Sequence, residues 1–501
     1  MSEHPLLSIQ HASILHQQQI FLRDFSWTVL PGEAWVITGS NGSGKTTLIN
    51  AIIDSEKMVP SSADGFFSAF SKITLLSFEA VAAFIENELK NDDSDFVEGG
   101  IDPGRTPAAL LEGCPEAERY ASICGISHIL HRGLKFLSTG EIRRTLLAQA
   151  LAGAPDLLIL DDPFDGLDSE GVATLSALLD SLIGSASSSN KTAYMIVLDR
   201  YISVPRSCTH VLELEGGKTV FSGTREDFEQ RLAERTLLGA CEPQNASFPA
   251  DLDEELAVLD TEKTLSDDTK PLIEMTRVSV EWSGRKVLDD VSWTVNKGEH
   301  WIIRGPNGSG KTTLLELITG DNPQVFRNRV SLFGAPRGSG ETIWEIKEKI
   351  GFVSHRLHQE YRRVGDVTVE TVIVSGFYDS IGLYERASTE EREKAARWLE
   401  LGNLQNLAKE AFNALSYGDQ RSVLILRAAV KLPPLIILDE PCHGLDEQHR
   451  ARTLSLMQRI AETGHSTLLH VTHDPDEYLP CETNILELLP GGDPMYRIIT
   501  R

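Results

Sequence analysis

Long apolar segments, paired cysteines and an excess of positive charge are all missing from this sequence of 501 residues. No stretch reaches the ~20 apolar residues that a membrane-spanning helix needs. The six cysteines include no Cys-x-x-Cys pair, and we interpret them as buried apolar side chains in a reducing compartment. The opening residues, MSEHPLLSIQ, contain no basic segment followed by an apolar run, so we expect no secretory signal. These absences predict a cytoplasmic protein, or one that lies peripherally at the inner face of a membrane.

The charge balance is strongly acidic, with 73 Asp and Glu residues against 47 Lys and Arg residues and a formal net charge of -26. Such a surface repels nucleic-acid phosphates, so the composition argues against direct binding of DNA or RNA. A hydrophobic content of 41% supports buried cores, and the length suits two domains of roughly 200–250 residues each.

The chain contains an internal repeat. FSWTVLPGEAWVITGSNGSGKTTL, in the first half, matches VSWTVNKGEHWIIRGPNGSGKTTL, in the second half, almost residue for residue. Lys45 corresponds to Lys311 at an offset of 266 residues, and Asp161 corresponds to Asp439 at an offset of 278. The second copy therefore carries about 12 more residues between these two points and is otherwise collinear with the first.

The repeat sets the domain boundaries. We predict a first domain over residues 1–240, a second over 271–501, and between them an acidic linker, 241–270, with little apolar periodicity. Short apolar runs such as AWVITG and LLILDD indicate strands of a parallel sheet. Helical stretches alternate with them, such as STEEREKAARWLELG, with Ser388 as the N-cap and Gly402 as the stop. We therefore expect an α/β fold with a mostly parallel sheet in each copy.

Each copy also has a glycine-rich loop of the form G-x-x-x-x-G-K-[ST] between a predicted strand and a predicted helix. Its backbone N–H groups and the helix N-terminus suit nucleotide phosphates, and its lysine reaches the terminal phosphates. A threonine hydroxyl and the Asp that ends a later strand hold Mg²⁺. The predicted ATP-binding residues of the loops are Gly39, Ser40, Asn41, Gly42, Ser43, Gly44, Lys45, Thr46 and Thr47, and Gly305, Pro306, Asn307, Gly308, Ser309, Gly310, Lys311, Thr312 and Thr313. The predicted metal ligands are Thr46 and Asp161 in the first copy and Thr312 and Asp439 in the second.

Further motifs follow the loops in a fixed order. LSTGE (Leu137–Glu141) and LSYGD (Leu415–Asp419) precede the LLILD-type strands, FDGLD and CHGLD follow those strands, and VTHD lies near the end of the second copy. In this order they resemble the signature, D-loop and switch-histidine motifs of ATP-binding-cassette (ABC) ATPases, over nearly the whole chain. The resemblance implies two tandem P-loop NTPase domains of ABC type, each with a mostly parallel sheet plus a helical subdomain.

In the ABC family two such domains pair head to tail with ATP between them, and the resemblance implies the same intramolecular pairing here. The signature serine and glycine of each copy would then complete the nucleotide pocket of the other copy. These residues are Ser138 and Gly140, which complete the Lys311 pocket, and Ser416 and Gly418, which complete the Lys45 pocket. An aromatic side chain ahead of each domain usually stacks on adenine in this family, and the matching positions hold His16 and Trp282.

The two copies differ where the family acts on the attacking water. The acid that orients and polarises that water is Glu440 in the second copy and the shorter Asp162 in the first. A misplacement of about 1 Å can lower the rate on the order of 100-fold. The switch histidine is His473 in the second copy, whereas the first copy presents Asp199, or Leu198 if the register shifts by one residue.

The segment that usually supplies a metal- and water-contacting Gln also departs from the family pattern. It has His355 in the second copy, with Gln359 four residues later, and Phe78 or Glu79 in the first. We therefore interpret the second pocket as the hydrolytic site and the first as a site that mainly holds ATP. The alternative is that Asp162 is a conservative replacement and that both pockets hydrolyse ATP.

The resemblance therefore implies ATP binding and Mg²⁺-dependent hydrolysis, and we expect the chain to be a subunit that energises an ABC-type transport system. The membrane permease subunits would be separate chains. Segments such as SGFYDSIGLY also resemble a tandem-cassette family named for molybdate transport, which makes molybdate the candidate substrate. Two alternatives stay open, a stress or repair switch that is not in transport and a translation-associated factor. Factors of the latter kind usually carry a long basic linker, unlike the acidic one here.

Overall fold

The computed structural model describes residues 4–16, 19–60, 65–77, 81, 84–85, 87–88, 102–186, 192–237, 270–282, 285–384 and 386–501. The chain divides into two compact units, residues 1–242 and 243–501. The predicted linker at 241–270 lies outside the described residues except for Lys270. Within the described ranges, no helix combines the length and apolar character needed to cross a membrane.

The first unit contains an antiparallel sheet and a mostly parallel sheet. Its strands are β1 (Leu7–His16), β2 (Gln19–Val29), β3 (Ala34–Thr38), β4 (Met58–Pro60), β5 (Phe66–Ser68), β6 (Ile73–Ser77), β7 (Leu157–Asp161), β8 (Ala193–Leu198), β9 (His210–Glu215) and β10 (Lys218–Thr224). In the antiparallel sheet, β1 pairs with β2, β4 and β5. The larger sheet has the order β10-β9-β3-β8-β7-β6, and only the β9–β10 pairing is antiparallel.

Helices cover this parallel sheet. They are α1 (Lys45–Ile53), α2 (Pro107–Leu111), α3 (Ala117–Ile123), α4 (Thr139–Ala152), α5 (Ser169–Ala186) and α6 (Arg225–Leu237). One apolar cluster joins the helical segment 110–183 to one face of the sheet, and another joins the opposite face to α1 and the antiparallel sheet. Because both faces are covered, β3 is buried along its whole length, as the continuous apolar runs predicted.

The second unit repeats this architecture. Its strands are β11 (Ile273–Trp282), β12 (Arg285–Val295), β13 (His300–Arg304), β14 (Arg329–Leu332), β15 (Ala335–Pro336), β16 (Ile350–Val353), β17 (Leu435–Asp439), β18 (Thr467–Val471), β19 (Glu482–Leu488) and β20 (Tyr496–Thr500). The antiparallel sheet has the order β12-β11-β14-β15. The other sheet has the order β16-β17-β18-β13-β19-β20, with only β19–β20 antiparallel. The predicted α/β fold is therefore confirmed in both copies.

The helices of the second unit are α7 (Lys311–Thr319), α8 (Ile343–Lys347), α9 (His355–Arg363), α10 (Val369–Val374), α11 (Thr389–Leu401), α12 (Tyr417–Ala429) and α13 (Glu447–Glu462). The helix predicted between Ser388 and Gly402 is confirmed as α11. Ser388 caps it by accepting a hydrogen bond from the backbone N–H of Glu391, whose side chain bonds back to the N-cap backbone. Gly402 is its C-cap residue.

Glycines at the second position of α4 and α12 differ in the space around them. A Cβ added to Gly418 would lie 2.1 Å from Cδ2 of His449, whereas a Cβ added to Gly140 would lie 3.9 Å from its nearest neighbour, Leu167. We expect Gly418→Ala to lower the free energy of unfolding by about 1–3 kcal/mol through overpacking. Gly140→Ala is the matched control and should leave stability unchanged or slightly raised. Urea unfolding midpoints measure both, and equal midpoints for the two variants would contradict the packing difference.

Candidate functional site

The phosphate loop of the second unit leads directly into α7. Gly310, the N-cap residue of that helix, has a φ of 98°, a left-handed conformation that an L side chain rarely adopts. Lys311 folds back over the loop, and its Nζ donates to the carbonyl oxygens of Gly305 (2.7 Å) and Pro306 (3.1 Å). The hydroxyl of Ser309 is buried and makes no hydrogen bond among the described residues. The loop is thus shaped as a cradle for a phosphate, with a cation and the helix N-terminus at its base.

An open cavity of about 340 Å³ lies against this loop. Its walls combine loop residues with the acid that ends β17 and the acid that follows it. They are Val287, Asn307, Gly308, Gly310, Lys311, Thr312, Thr313, His355, Asp439 and Glu440. Thr312 and Asp439 therefore line the same space, and a hydroxyl with a carboxylate is a donor set that suits Mg²⁺. Bound there with a nucleotide, Mg²⁺ would neutralise charge on the phosphate oxygens.

Glu440 is held by its backbone in an uncommon conformation. Its φ is 47°, in the left-handed region, and its N–H donates to the carbonyl oxygen of Val471 on the neighbouring strand (3.0 Å). His473 faces it, with 3.8 Å between His473 Nδ1 and Glu440 Oε1. Burial opposes ionisation of Glu440, but His473 and the nearby His443 outweigh it and lower the pKa of the carboxyl to about 2. The carboxylate is therefore ionised at neutral pH.

The pKa values of Asp439 and His473, the two neighbours of Glu440, shift upward, opposite to that of Glu440. Burial, with the adjacent charge of Glu440, raises the pKa of Asp439 to about 6. The contact with Glu440 raises the pKa of His473, although burial opposes this. A cation beside Asp439, such as Mg²⁺, would favour the ionised form of that carboxyl.

His355 occupies the wall of the cavity at the position where the family usually has Gln. Gln359 lies behind it, and its Nε2 donates to Nε2 of His355 at 2.8 Å. The rings of His355 and His443 meet edge to face, with centroids 5.5 Å apart. The later glutamine therefore supports the histidine in this conformation. In the first unit, Phe78 and Glu79 lie outside the described residues.

The first unit reproduces the backbone of this site. Lys45 Nζ donates to the carbonyl oxygens of Gly39 (2.7 Å) and Ser40 (3.0 Å). Asp162 has a φ of 48°, and its N–H donates to the carbonyl oxygen of Val197 (2.9 Å). The two acids that follow β7 and β17 are therefore placed alike, and they differ in side-chain length.

Strand pairing resolves which residue replaces the switch histidine. Asp161 pairs with Val197 in the first unit, just as Asp439 pairs with Val471 in the second. His473 lies two residues after Val471, so its counterpart two residues after Val197 is Asp199. The adjacent register, which would have used Leu198, is excluded.

Asp199 makes an ion pair with the lysine of its own phosphate loop. Its Oδ1 lies 2.8 Å from Nζ of Lys45, and the two side chains are 22% and 7% exposed. Its backbone N–H donates to Oδ1 of Asp162 (3.1 Å). Burial, followed by the charges of Asp199 and Asp161, raises the pKa of Asp162 well above its ordinary value. The first unit thus places a carboxylate against the lysine of its loop, and its surroundings shift Asp162 toward the neutral form.

The signature serines begin the helices that follow them. Ser138 caps α4, where Ser138 and Glu141 form a capping box, and Ser416 caps α12 by accepting from the N–H of Asp419. In each unit the phosphate loop leads into one helix, α1 or α7, and the signature serine begins another, α4 or α12. Head-to-tail completion of each pocket by the other copy stays a prediction.

The two adenine-stacking positions have matching places in the backbone. His16 and Trp282 each end the first strand of a hairpin, where His16 pairs with Gln19 and Trp282 pairs with Arg285. Trp282 is 49% exposed. The side chain of His16 lies outside the described residues. Their adenine contacts stay predictions.

No sequence motif marks one group that lies beside the second signature serine. His449 bonds to Ser416 and Asp446 in the second unit. Its counterpart in the first copy, at the same offset of 278 that relates Asp161 to Asp439, is Gly171. A position-by-position comparison of the two copies would have found this difference.

With this geometry in view, comparison with known proteins decides the family. The sequence profile of the ABC transporter family matches residues 22–165 and 288–443. The chain belongs to the ABC transporter family. It is accordingly an ATPase, and members of the family bind ATP and generally use Mg²⁺. Both matched segments contain a phosphate loop and the acids that end β7 or β17.

Relatives match this chain over nearly its whole length and their own. The ABC transporter ATP-binding protein ModF of Escherichia coli strain K12 is 38% identical over 94% of this chain and 94% of its own length. An uncharacterized ABC transporter ATP-binding protein of Schizosaccharomyces pombe is 29% identical over 92% of this chain and 93% of its own length. The match to ModF confirms the resemblance, predicted from the sequence, to a tandem-cassette family named for molybdate transport.

Among solved structures, the archaeal ribosome recycling factor aABCE1, in complex with the stalk protein aP1, matches this chain with a TM-score of 0.54 at 18% identity. The match covers 97% of this chain and 89% of the chain in that structure. A structure titled RNase-L Inhibitor has a TM-score of 0.53 at 18% identity, over 99% and 90%. At this level of identity the likeness shows the ABC fold alone.

The ion pair between Lys45 and Asp199 leads to a prediction about affinity. Asp199→Asn should slow the release of ATP from the first pocket, because it removes a negative charge that competes with phosphate for the lysine. We expect an effect on the order of 10-fold, equivalent to ~1.4 kcal/mol. The measurement follows the release of fluorescent ATP from the Glu440→Gln protein. The kinetic phase that disappears when Lys45→Ala is added reports release from the first pocket. Asp24→Asn, at an exposed acid, is the matched control, and release rates equal to the control would contradict the competition.

Proposed function

We propose that this ABC ATPase binds two ATP molecules between its head-to-tail halves and hydrolyses ATP mainly in one of them. The hydrolytic pocket is built on Lys311, Asp439, Glu440 and His473, and is completed by Ser138 and Gly140. The second unit alone has both an ionised acid after β17 and a histidine facing it. That pairing is the observation on which the proposal rests.

The chemistry of this pocket follows from its charges. The loop N–H groups and Lys311 bind the β- and γ-phosphates. Glu440 accepts a hydrogen bond from the attacking water and aligns it with the γ-phosphate. His473, held beside Glu440, donates to a γ-phosphate oxygen as negative charge develops there. The signature serine and the N-terminus of α4 bind the same phosphate from the opposite side.

The first pocket is proposed to retain ATP. Asp162 has a raised pKa and a shorter side chain, so it is a poorer group for polarising water. Asp199 replaces the histidine and occupies Lys45, which weakens the attraction for the γ-phosphate. A nucleotide that is bound here without being hydrolysed would stabilise the paired halves while the other pocket turns over.

The hydrolysis cycle is proposed to energise an ABC-type transport system with separate permease subunits. Transporter cassettes usually contact such subunits through the segment after the Gln position, which here runs from α9 to Tyr384. This segment exposes two large apolar side chains, Tyr384 (84% exposed) and Val364 (42% exposed). Molybdate is the candidate substrate, on the strength of the likeness to ModF.

The asymmetry of the pockets is tested by removing each acid in turn. Glu440→Gln should lower steady-state ATP hydrolysis on the order of 100-fold or more, because no ionised group then aligns the water. Asp162→Asn should change it only a few fold. Both substitutions replace a carboxyl group by an amide and keep the side-chain length, so each is the control for the other. Similar losses in phosphate release from the two variants would show that both pockets are hydrolytic.

The transport role is tested by capture of partners. The Glu440→Gln protein with ATP should retain the closed state and co-purify permease-type membrane proteins from solubilised membranes, identified by mass spectrometry. Tyr384→Ala should lower the yield several fold, because exposed aromatic side chains dominate such contacts. Ile498→Ala, at an exposed apolar residue outside the segment, is the matched control. Recovery with ribosomes, and without membrane proteins, would favour a translation-associated factor.

A further inference from the structure

A histidine and a carboxylate support the signature serine of the second unit. His449 Nε2 lies 3.2 Å from Oγ of Ser416, and His449 Nδ1 lies 2.9 Å from Oδ1 of Asp446. The side chains of His449 and Asp446 are only 14% and 2% exposed. Asp446 is the N-cap of α13 and Ser416 is the N-cap of α12. The N-termini of two helices therefore hold the serine, the imidazole and the carboxylate in contact.

The first unit has the same backbone without the imidazole. The N–H of Gly171 donates to Oδ1 of Asp168 at 2.8 Å, just as the N–H of His449 donates to Oδ1 of Asp446 at 2.8 Å. The two positions are therefore structurally equivalent, and the first has no side chain. There, the hydroxyl of Ser138 donates to Glu141 (2.8 Å). The histidine–carboxylate pair is thus a property of the second signature motif within the described residues.

The protonation state of His449 decides what the Ser416 hydroxyl can do. If the ring is neutral and donates from Nδ1 to Asp446, then Nε2 is an acceptor and competes for the serine proton. If the ring is an imidazolium, Nε2 donates to Oγ, and the serine proton remains available for another acceptor. At present that acceptor is Oδ2 of Asp419, 2.7 Å away. A phosphate oxygen arriving at the end of α12 can take its place.

We propose that His449 is a positioning residue that makes Ser416 a hydrogen-bond donor to the γ-phosphate of ATP in the first pocket. This inference rests on the proposed head-to-tail pairing, in which Ser416 closes on the Lys45 loop. The first pocket has Asp199 where the other has a switch histidine. An imidazolium one hydrogen bond away from the phosphate restores, from the second unit, the positive charge that the first pocket lacks.

The direction of the pH dependence follows from the surroundings of the ring. The charged groups that face His449 are Asp446, Asp419 and Arg452. The hydrogen bond to Asp446 raises the pKa of His449; burial and Arg452 oppose this, and the charges of Asp446 and Asp419 add to it. The imidazolium is therefore present at low pH and is lost as pH rises through the raised pKa. Retention of ATP by the first pocket should accordingly weaken with rising pH.

The experiment uses the full chain with Glu440→Gln, which slows hydrolysis and leaves both pockets loaded. Release of fluorescent ATP and of fluorescent ADP is followed by rapid dilution, and the first pocket is the phase that Lys45→Ala abolishes. His449→Gln should speed ATP release ~10-fold at neutral pH, the order of one hydrogen bond to a charged group. ADP release should not change, because ADP has no γ-phosphate, and this also shows that the variant is folded. His128→Gln, at an exposed histidine, is the matched control.

The pH profile separates positioning from a merely structural role. Between about pH 5 and pH 8, ATP release from the first pocket should accelerate in the parent and in the His128→Gln control. The pH profile of the release rate should be flatter in His449→Gln. All samples share the titration of the nucleotide itself, so the effect of that titration cancels in the comparison. A parallel profile in His449→Gln, or an equal effect on ADP, would overturn the proposal.

A further variant distinguishes the two proposals from each other. Ser416→Ala should speed ATP release from the first pocket to the same degree as His449→Gln, and the double variant should add nothing further. If Ser416→Ala speeds release and His449→Gln does not, the head-to-tail pocket stands and the role of His449 fails. If Ser416→Ala has no effect, the proposed pairing itself fails.

Discussion

A backbone hydrogen bond at the carboxyl edge of each parallel sheet determines the chemistry of each half. It runs from the N–H of Asp162 to Val197 and from the N–H of Glu440 to Val471. Each bond holds the acid in a left-handed conformation that would otherwise be unfavourable by about 1–3 kcal/mol. It also brings the residue two positions farther along the neighbouring strand beside that acid. Burial favours the neutral form of each acid, and the residue at this second position, an aspartate or a histidine, adds to that effect or opposes it.

The contrast between the halves is thus electrostatic rather than architectural. Asp199 and His473 lie at matching places, yet Asp199 joins a cluster of carboxylates, whereas His473 is an imidazole that faces Glu440 and whose pKa this contact raises. The first arrangement raises the pKa of the adjacent acid and the second lowers it. Asp199 affects both the acid and the phosphate-loop lysine of the first unit, because it contacts Lys45 as well as Asp162. Duplication of a site followed by divergence needs no change of fold to give two different pockets.

Much of the fold and part of the site could be predicted from sequence because their signals are local. Glycine-rich loops, continuous apolar strands and capped helices such as α11 are determined by residues close together in the chain. Contacts between distant segments could not be predicted in this way. The register that selects Asp199 depends on the pairing of β7 with β8, and its ion pair with Lys45 depends on where that strand ends. The pairing of His449 with Ser416 requires two helix ends to meet, which no spacing in the sequence indicates.

The close packing of Gly418 against His449 also limits how this signature motif could have arisen. A side chain at position 418 and an imidazole at position 449 compete for the same space, whereas Gly140, the counterpart of Gly418 in the first unit, has room for a Cβ. The histidine could therefore be acquired only in an ancestor that already had glycine at 418. Once it was present, that glycine became unable to vary on its own. The two positions are therefore epistatic. In descendants of this chain, we expect His449 to be replaced before Gly418 can be.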